Sequence, residues 1–358
     1  MGHGVAAVEA IGKAPAELDF TTATKAFAIC LVVLTHADWT EADRLCPVFP
    51  FVVSAAVPLF MMVTGLNYAR SYLRRGTDDL KRMYDPIRLR RRAGALVFPF
   101  VPVFLLEIPL AALRNHLGFS SIDLSPIGLL DGFFSGGWGP GGYYLPVMIQ
   151  VIAIYPLLFC LVRRSVWGVF AGVAVGCFVL DCVQTALGFP DGIWRLLCIR
   201  YLPYLAFGAL LALRINALGK AIWSGSCFAM LVTGGGYLAC LTYCPLAEIL
   251  STLQSDWAGT SLPSGIYFMG AFGLLYVMFA ERGLSDSKWK PVIAISRNTW
   301  FIFLIQSVWY FAGANSVFDF LPVPVSAILF LCICVSLGCI FGAIWQGLKA
   351  RNARTRSR

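Results

Sequence analysis

Charge is what this sequence has least of. Only 13% of its 358 residues are Asp, Glu, Lys or Arg, where a soluble domain carries about 25%. A soluble fold of this length has nowhere to bury so many all-apolar faces. Histidine is scarcer still: His3, His36 and His116 are the only three. Among twelve cysteines there is no Cys-x-x-Cys pair, which argues against a zinc or redox site. Most cysteines, such as Cys30, Cys177, Cys227 and Cys332, lie singly in apolar stretches and read as small fillers. Residues 1–17 have no leading apolar block and contain Glu9, Lys13 and Glu17. They do not read as a cleaved signal peptide, so the first span is expected to serve as its own insertion signal. There is no internal repeat, low-complexity tract or separate soluble domain.

Apolar length is what the sequence has in abundance. Hydrophobic residues make up 58% of it, and mean hydropathy is +0.74. Runs of about 20 apolar residues recur, each long enough to cross roughly 30 Å of hydrocarbon. Ten spans are expected: 20–38, 48–69, 94–113, 144–162, 165–187, 196–213, 222–243, 264–280, 299–314 and 323–347. With a cytoplasmic N-terminus, the inside loops and tail carry 22 Lys and Arg residues. The outside loops carry only Arg44, Arg114 and Arg195. That asymmetry follows the positive-inside rule. It also accounts for the net charge of +9 without nucleic acid. Trp39, Trp138, Tyr143, Tyr144 and Trp194 fall near span ends, as interfacial aromatics do. The fold expected is all-α: a transmembrane bundle of about ten spans over 19–348, both termini cytoplasmic. A short N-terminal segment (1–18) and a basic tail (349–358) flank it. The lipid bilayer is its first partner.

Polar side chains inside such spans point to chemistry. Lys25 and His36 lie eleven residues apart in the first span. That is almost three helical turns, so they share a face about 16 Å apart along the axis. Two readings stand. In one, Lys25 snorkels to the inner headgroups and His36 is a boundary or packing residue. In the other, the pair marks a reaction path, with the imidazole as proton carrier. Asp19, Glu107, Gln150, Asp181, Arg200 and Gln306 are the other polar groups in or near spans. Arg200, early in span six, faces either the bundle interior or the outer interface, with Asp181 as a candidate partner. Gln306 reads as an interhelical hydrogen bonder. The arginines of loop 70–93, Arg88, Arg91 and Arg92 among them, either anchor topology or form an anion site for a phosphorylated donor such as coenzyme A.

At these residues the sequence resembles the acyltransferase 3 family of membrane acyltransferases. Lys25, ten intervening residues and His36 are similar to the family's opening motif, with Asp19 in its lead-in. VPLFMMVTGLNYA resembles the element PLFFxxSG, with Thr64 for Ser and Gly65 in place. RRRAGALVFPF resembles the basic approach to span three. There Arg92 and Pro99 match, but Ala95 stands where a second arginine is usual; Arg88 and Arg91 supply that spacing upstream. GGYYLPVMIQVIAIYPLL is similar to the span-four element through Tyr144, Leu145 and Pro156. RYLPYLAFG and SRNTWFIFLIQ resemble later elements, with Gln306 in place of a histidine.

The resemblance implies acyl transfer, acetyl or succinyl, from cytoplasmic acyl-CoA to a hydroxyl of a cell-surface or exported glycan. The acceptor would be that glycan or a lipid-linked sugar, and the setting a bacterial plasma membrane. Within the family the span-four segment is most similar to the polysaccharide-modifying branch. His36 and Lys25 are the catalytic candidates. Arg200 and Tyr144 are the substrate-binding candidates, and Arg88, Arg91 and Arg92 the donor-binding ones. No permanently bound cofactor and no metal is expected. The competing reading is a transporter of a glycan or lipid-linked sugar, although such proteins often show paired half-repeats, which are lacking here.

Overall fold

The structure is a computed structural model. It describes residues 20–40, 43–44, 48–77, 79–188, 191–242, 262–279, 289–318 and 320–356. The N-terminal segment 1–18, Asp19, His3, the loop 244–261 expected on the outside and the last two residues of the tail lie outside them.

The described residues form an all-helical fold. The main helices are α1 Phe20–Thr35, α2 Ala56–Arg74, α3 Pro86–His116, α4 Pro126–Phe134, α5 Tyr144–Arg164, α6 Val166–Ala186, α7 Leu202–Thr242, α8 Leu262–Phe279, α9 Lys290–Arg297, α10 Thr299–Phe311 and α11 Val323–Arg356. By length and composition, five helical segments are long and apolar enough to cross a bilayer. They are Val48–Arg74, Leu80–His116, Tyr144–Arg164, Val166–Gln184 and Val323–Arg351. A sixth is the pair α9 and α10, bent by 68° at Asn298. Helices α1 and α8 are apolar but shorter. Large apolar side chains such as Phe228 and Leu231 stand 69% and 74% exposed. In an aqueous protein such faces need covering; here lipid covers them.

Helix α7 is a continuous helical run, but it is not a straight rod. A Cβ on Gly273 of α8 would lie 3.4 Å from Phe207 Cζ, 3.3 Å from Ile222 Cγ2 and 2.8 Å from Ser226 Oγ. Fifteen residues of straight helix would separate Phe207 from Ile222 by about 22 Å. Two side chains that meet one glycine cannot be that far apart. The run therefore bends between them.

Two boundaries differ from expectation. Helix α3 begins at Pro86 rather than 94. The Asp85 side chain caps it by accepting the Ile87 N–H at 3.0 Å, and Pro86 occupies the first turn, where its missing N–H costs nothing. Arg88, Arg91 and Arg92 thus stand on the opening turns of a helix, not in a loop. Arg200 lies not in a span but in the 3-10 turn Cys198–Tyr201 that leads into α7.

The core has two parts. One cluster joins Ala28 and Leu31 of α1 to α2, α5, α7 and α8. The other joins Ile29 and Val33 of α1 to Phe100, Val103 and Phe104 of α3, to Ile302–Leu304 of α10 and to Phe330 and Cys334 of α11. Successive residues of α1 therefore face different clusters. Val32, Phe60, Leu96 and Tyr144 pack against both. The seam between the clusters is where the cavities open.

Glycines set the closest approaches. A Cβ at Gly65 of α2 would collide with the Leu205 carbonyl of α7, and one at Gly208 would collide with the Met62 carbonyl. Only residues without a side chain allow backbones so near.

Candidate functional site

Two cavities lie along α1 at this seam. The smaller, about 180 Å³, is lined by Ile29, Val32 and Thr35 of α1 and by His36 just after it, Ala56, Val57 and Phe60, Leu96, Gly141, Tyr143 and Tyr144, and Thr299, Trp300 and Phe303. The larger, about 510 Å³, is lined by Thr22 and Lys25 of α1, Phe60, Val63 and Thr64, Tyr144, and Ile293, Ser296, Arg297 and Thr299. Phe60, Tyr144 and Thr299 line both. The cavities are thus neighbouring chambers with one shared wall.

The face of α1 shown to these chambers is the one its spacing predicts. Thr22, Lys25, Ile29, Val32 and His36 recur every three or four residues, which stacks them on one side of a helix. The N-terminal part of that face offers a cation and a hydroxyl. The C-terminal part offers aliphatic groups and an imidazole.

His36 is the first residue beyond α1; its backbone N–H still bonds the Val33 carbonyl at 3.2 Å. Its ring meets Tyr310 edge to face at 6.1 Å. Tyr310 in turn donates its hydroxyl to Asp38 at 2.8 Å. This pins the segment after α1 to α10. Gly141, at φ +83°, passes so close that a Cβ there would stand 3.6 Å from His36 Nε2 and 2.9 Å from the Phe303 ring. No described residue hydrogen-bonds the imidazole nitrogens, which leaves them to the chamber.

The shared wall is aromatic. Tyr144 packs against Phe60 at 6.2 Å, Phe303 at 5.6 Å and Trp300 at 6.0 Å. Trp300 stacks on Phe303 at 5.2 Å and donates its indole N–H to the Leu96 carbonyl at 3.1 Å. Each ring is held by another, so the wall is preorganised.

The chambers contrast in charge. No Lys, Arg, Asp or Glu lines the smaller one. Lys25 and Arg297 line the larger, beside the hydroxyls of Thr22, Thr64, Ser296 and Thr299 and with no carboxylate among its lining residues. Two cations among hydroxyls suit a phosphate-bearing ligand. Among the described residues no group of three or more metal-ligating side chains gathers anywhere.

The other expected site residues stand outside both linings. Arg88 pairs with Asp85 at 3.9 Å. Arg91 is exposed. Arg92 lies 4.0 Å above the Tyr68 ring and 3.4 Å from the Tyr72 hydroxyl. Arg200 lies within electrostatic reach of Asp181, Tyr143, Tyr201 and Tyr204, of which Tyr143 lines the smaller chamber. Asp181 accepts the Trp194 indole N–H at 3.0 Å.

Gln306 departs from its expected role as an interhelical hydrogen bonder. It is fully buried, and neither its amide nitrogen nor its amide oxygen has a partner among the described residues.

Sequence reasoning missed Phe60, Thr299 and Arg297. Arg297 had counted only as one more inside cation. Its signal lay in the amphipathic sequence KPVIAISR, directly before the span that carries Thr299.

The comparisons with known proteins follow from the whole chain. The profile of the acyltransferase 3 family, described as an acyltransferase domain, matches residues 18–343. No curated protein and no solved structure matches the chain. The family match takes in α1 to α10 and most of α11, and so every residue of both chambers. The chain therefore belongs to the acyltransferase 3 family of membrane acyltransferases.

Proposed function

We propose that this protein is an O-acyltransferase that takes an acyl group from cytoplasmic acyl-CoA and places it on a hydroxyl of a surface or exported glycan, or of a lipid-linked sugar. The observation that carries this reading is the shared wall: a cationic chamber and an imidazole chamber meet at Phe60, Tyr144 and Thr299. The protein crosses a bacterial plasma membrane ten times, with both ends inside. The loop charges support that orientation. It turns Lys25 and Arg297 towards the cytoplasm, where the donor is found, and His36 towards the acceptor.

In the reaction, Lys25 and Arg297 hold donor phosphates, and the thioester reaches the wall. His36 takes the proton of the acceptor hydroxyl. The oxygen attacks the thioester carbonyl, and the hydroxyls of Tyr144 and Thr299 stand at the wall to receive the developing oxyanion. The carbon–sulfur bond breaks, and the proton passes from His36 to the leaving thiolate. Arg200 sits behind Tyr143 on the acceptor's side, and Arg88, Arg91 and Arg92 raise the positive potential at the donor's approach. The small chamber favours acetyl over succinyl. A succinyl carboxylate there would be buried without a cation, which is costly.

The test is His36→Ala in the intact membrane protein, read by mass spectrometry of the glycan. Acylation should disappear while photolabelling by an acyl-CoA analogue persists. Full acylation by the correctly inserted variant would sink the assignment. No labelling of the wild type, together with flux of unmodified glycan, would point to the transporter instead.

A further inference from the structure

Glu107 is a buried carboxylate that the proposed reaction does not use. It lies on α3, 1% exposed. Its Oε2 accepts the Trp138 backbone N–H at 3.0 Å, and the Ser307 hydroxyl of α10 donates to the same carboxylate. A polar group so deep is retained only with partners such as these. Both partners serve one purpose, because Trp138 belongs to the glycine-rich loop 135–143 and Ser307 is the surface that loop lies on.

The loop is shaped around the carboxylate. Gly137, at φ +96°, passes so near that a Cβ would sit 2.6 Å from Glu107 Oε2. A Cβ on Gly139 would collide with Ser307 Oγ. Gly136 and Gly142 meet backbone to backbone: a Cβ on Gly142 would be 2.8 Å from the Gly136 carbonyl oxygen. Trp138 then packs on Phe104 at 5.1 Å and on Phe311 at 6.1 Å. Two residues past Gly139 comes Gly141, the close neighbour of His36 Nε2, followed by the chamber residues Tyr143 and Tyr144.

We infer that Glu107 is a positioning residue: with Ser307 it latches the glycine-rich loop, and the latched loop fixes the wall that confines the His36 imidazole. The consequence for catalysis rests on the acyltransferase reading; the latch itself does not. A base must be held within a fraction of an ångström of its working position. Here the hold comes from a carboxylate that never touches substrate.

The experiment measures His36 directly. The full-length protein in detergent is treated with diethyl pyrocarbonate, and modification of the His36 peptide is followed by mass spectrometry. Glu107→Ala should raise the His36 rate about tenfold, the worth of one buried hydrogen bond in local opening. Glu107→Gln keeps an acceptor oxygen and should restore the rate to within about twofold of wild type. If Glu107→Ala does not fold, Gly137→Ala gives the same reading, because its methyl group must push the loop off the carboxylate. In membranes bearing the native glycan, the loosened variants should lose about tenfold in kcat while the KM for acetyl-CoA holds, because no residue of loop 135–143 lines the donor chamber. An unchanged His36 rate in the loosened variants overturns the latch, whatever happens to activity. A raised rate with acyl transfer absent from the wild type keeps the latch and overturns the acyltransferase reading.

Discussion

Arg297 and Gln306 sit nine residues apart on α9 and α10 and carry opposite lessons. Arg297 ends the amphipathic helix α9, is exposed, and lines the larger chamber. If it binds donor phosphate, Arg297→Gln should raise the KM for acetyl-CoA about tenfold and leave kcat within about twofold. An unchanged KM in a donor titration would remove it from the site. Gln306 has two polar atoms with no described partner. Such atoms carry a desolvation penalty that an apolar side chain of similar volume does not. Gln306→Met is expected to hold or raise the thermal midpoint in detergent. A clear drop would mean that the amide is partnered in the membrane. The sequence reads Gln306 as an interhelical hydrogen bonder, and the structure buries it with neither amide atom partnered among the described residues.

Helix seams decide which chambers exist. Gly65 was visible in the sequence only as part of a short motif. Its physical reason is the Leu205 carbonyl, which occupies the space a side chain would need. Gly65→Ala therefore forces α2 and α7 apart, and overpacking of this kind costs about 1–3 kcal/mol. Thermal unfolding beside wild type checks it, and a silent substitution would show that the seam is looser than its geometry. At the same scale, the opening of α3 was misplaced because hydropathy sees only apolar residues. A charged first turn capped by Asp85 and begun by Pro86 is still a helix. The break at Asn298 coincides with the expected start of the ninth span at 299, but hydropathy reads the helix Lys290–Arg297 before it as loop. No Pro or Gly marks it, and the 68° turn is set by the packing of α9 and α10 against α1.

Across the whole molecule, the proposed mechanism depends on orientation. Exposed positions on the two sides give a direct check. With the native cysteines replaced and a membrane-impermeant maleimide, Ser121→Cys should label in intact cells, and Lys81→Cys only after permeabilisation. The reverse pattern would place the donor chamber on the wrong side of the membrane for cytoplasmic acyl-CoA.

The sequence by itself determined the all-helical class, the membrane setting, the family, and the common face of Lys25 and His36. These are properties of composition, of motif order and of spacing along one helix. Only the tertiary structure decided that this face opens onto two chambers, that Phe60, Tyr144 and Thr299 form the wall between them, and that Arg297 joins Lys25. It alone brought Glu107 beneath the glycine-rich loop. Such pairings join residues far apart in the chain through the packing of α1 between two clusters. Periodicity within one segment specifies which face a residue takes, and packing between segments specifies what that face meets.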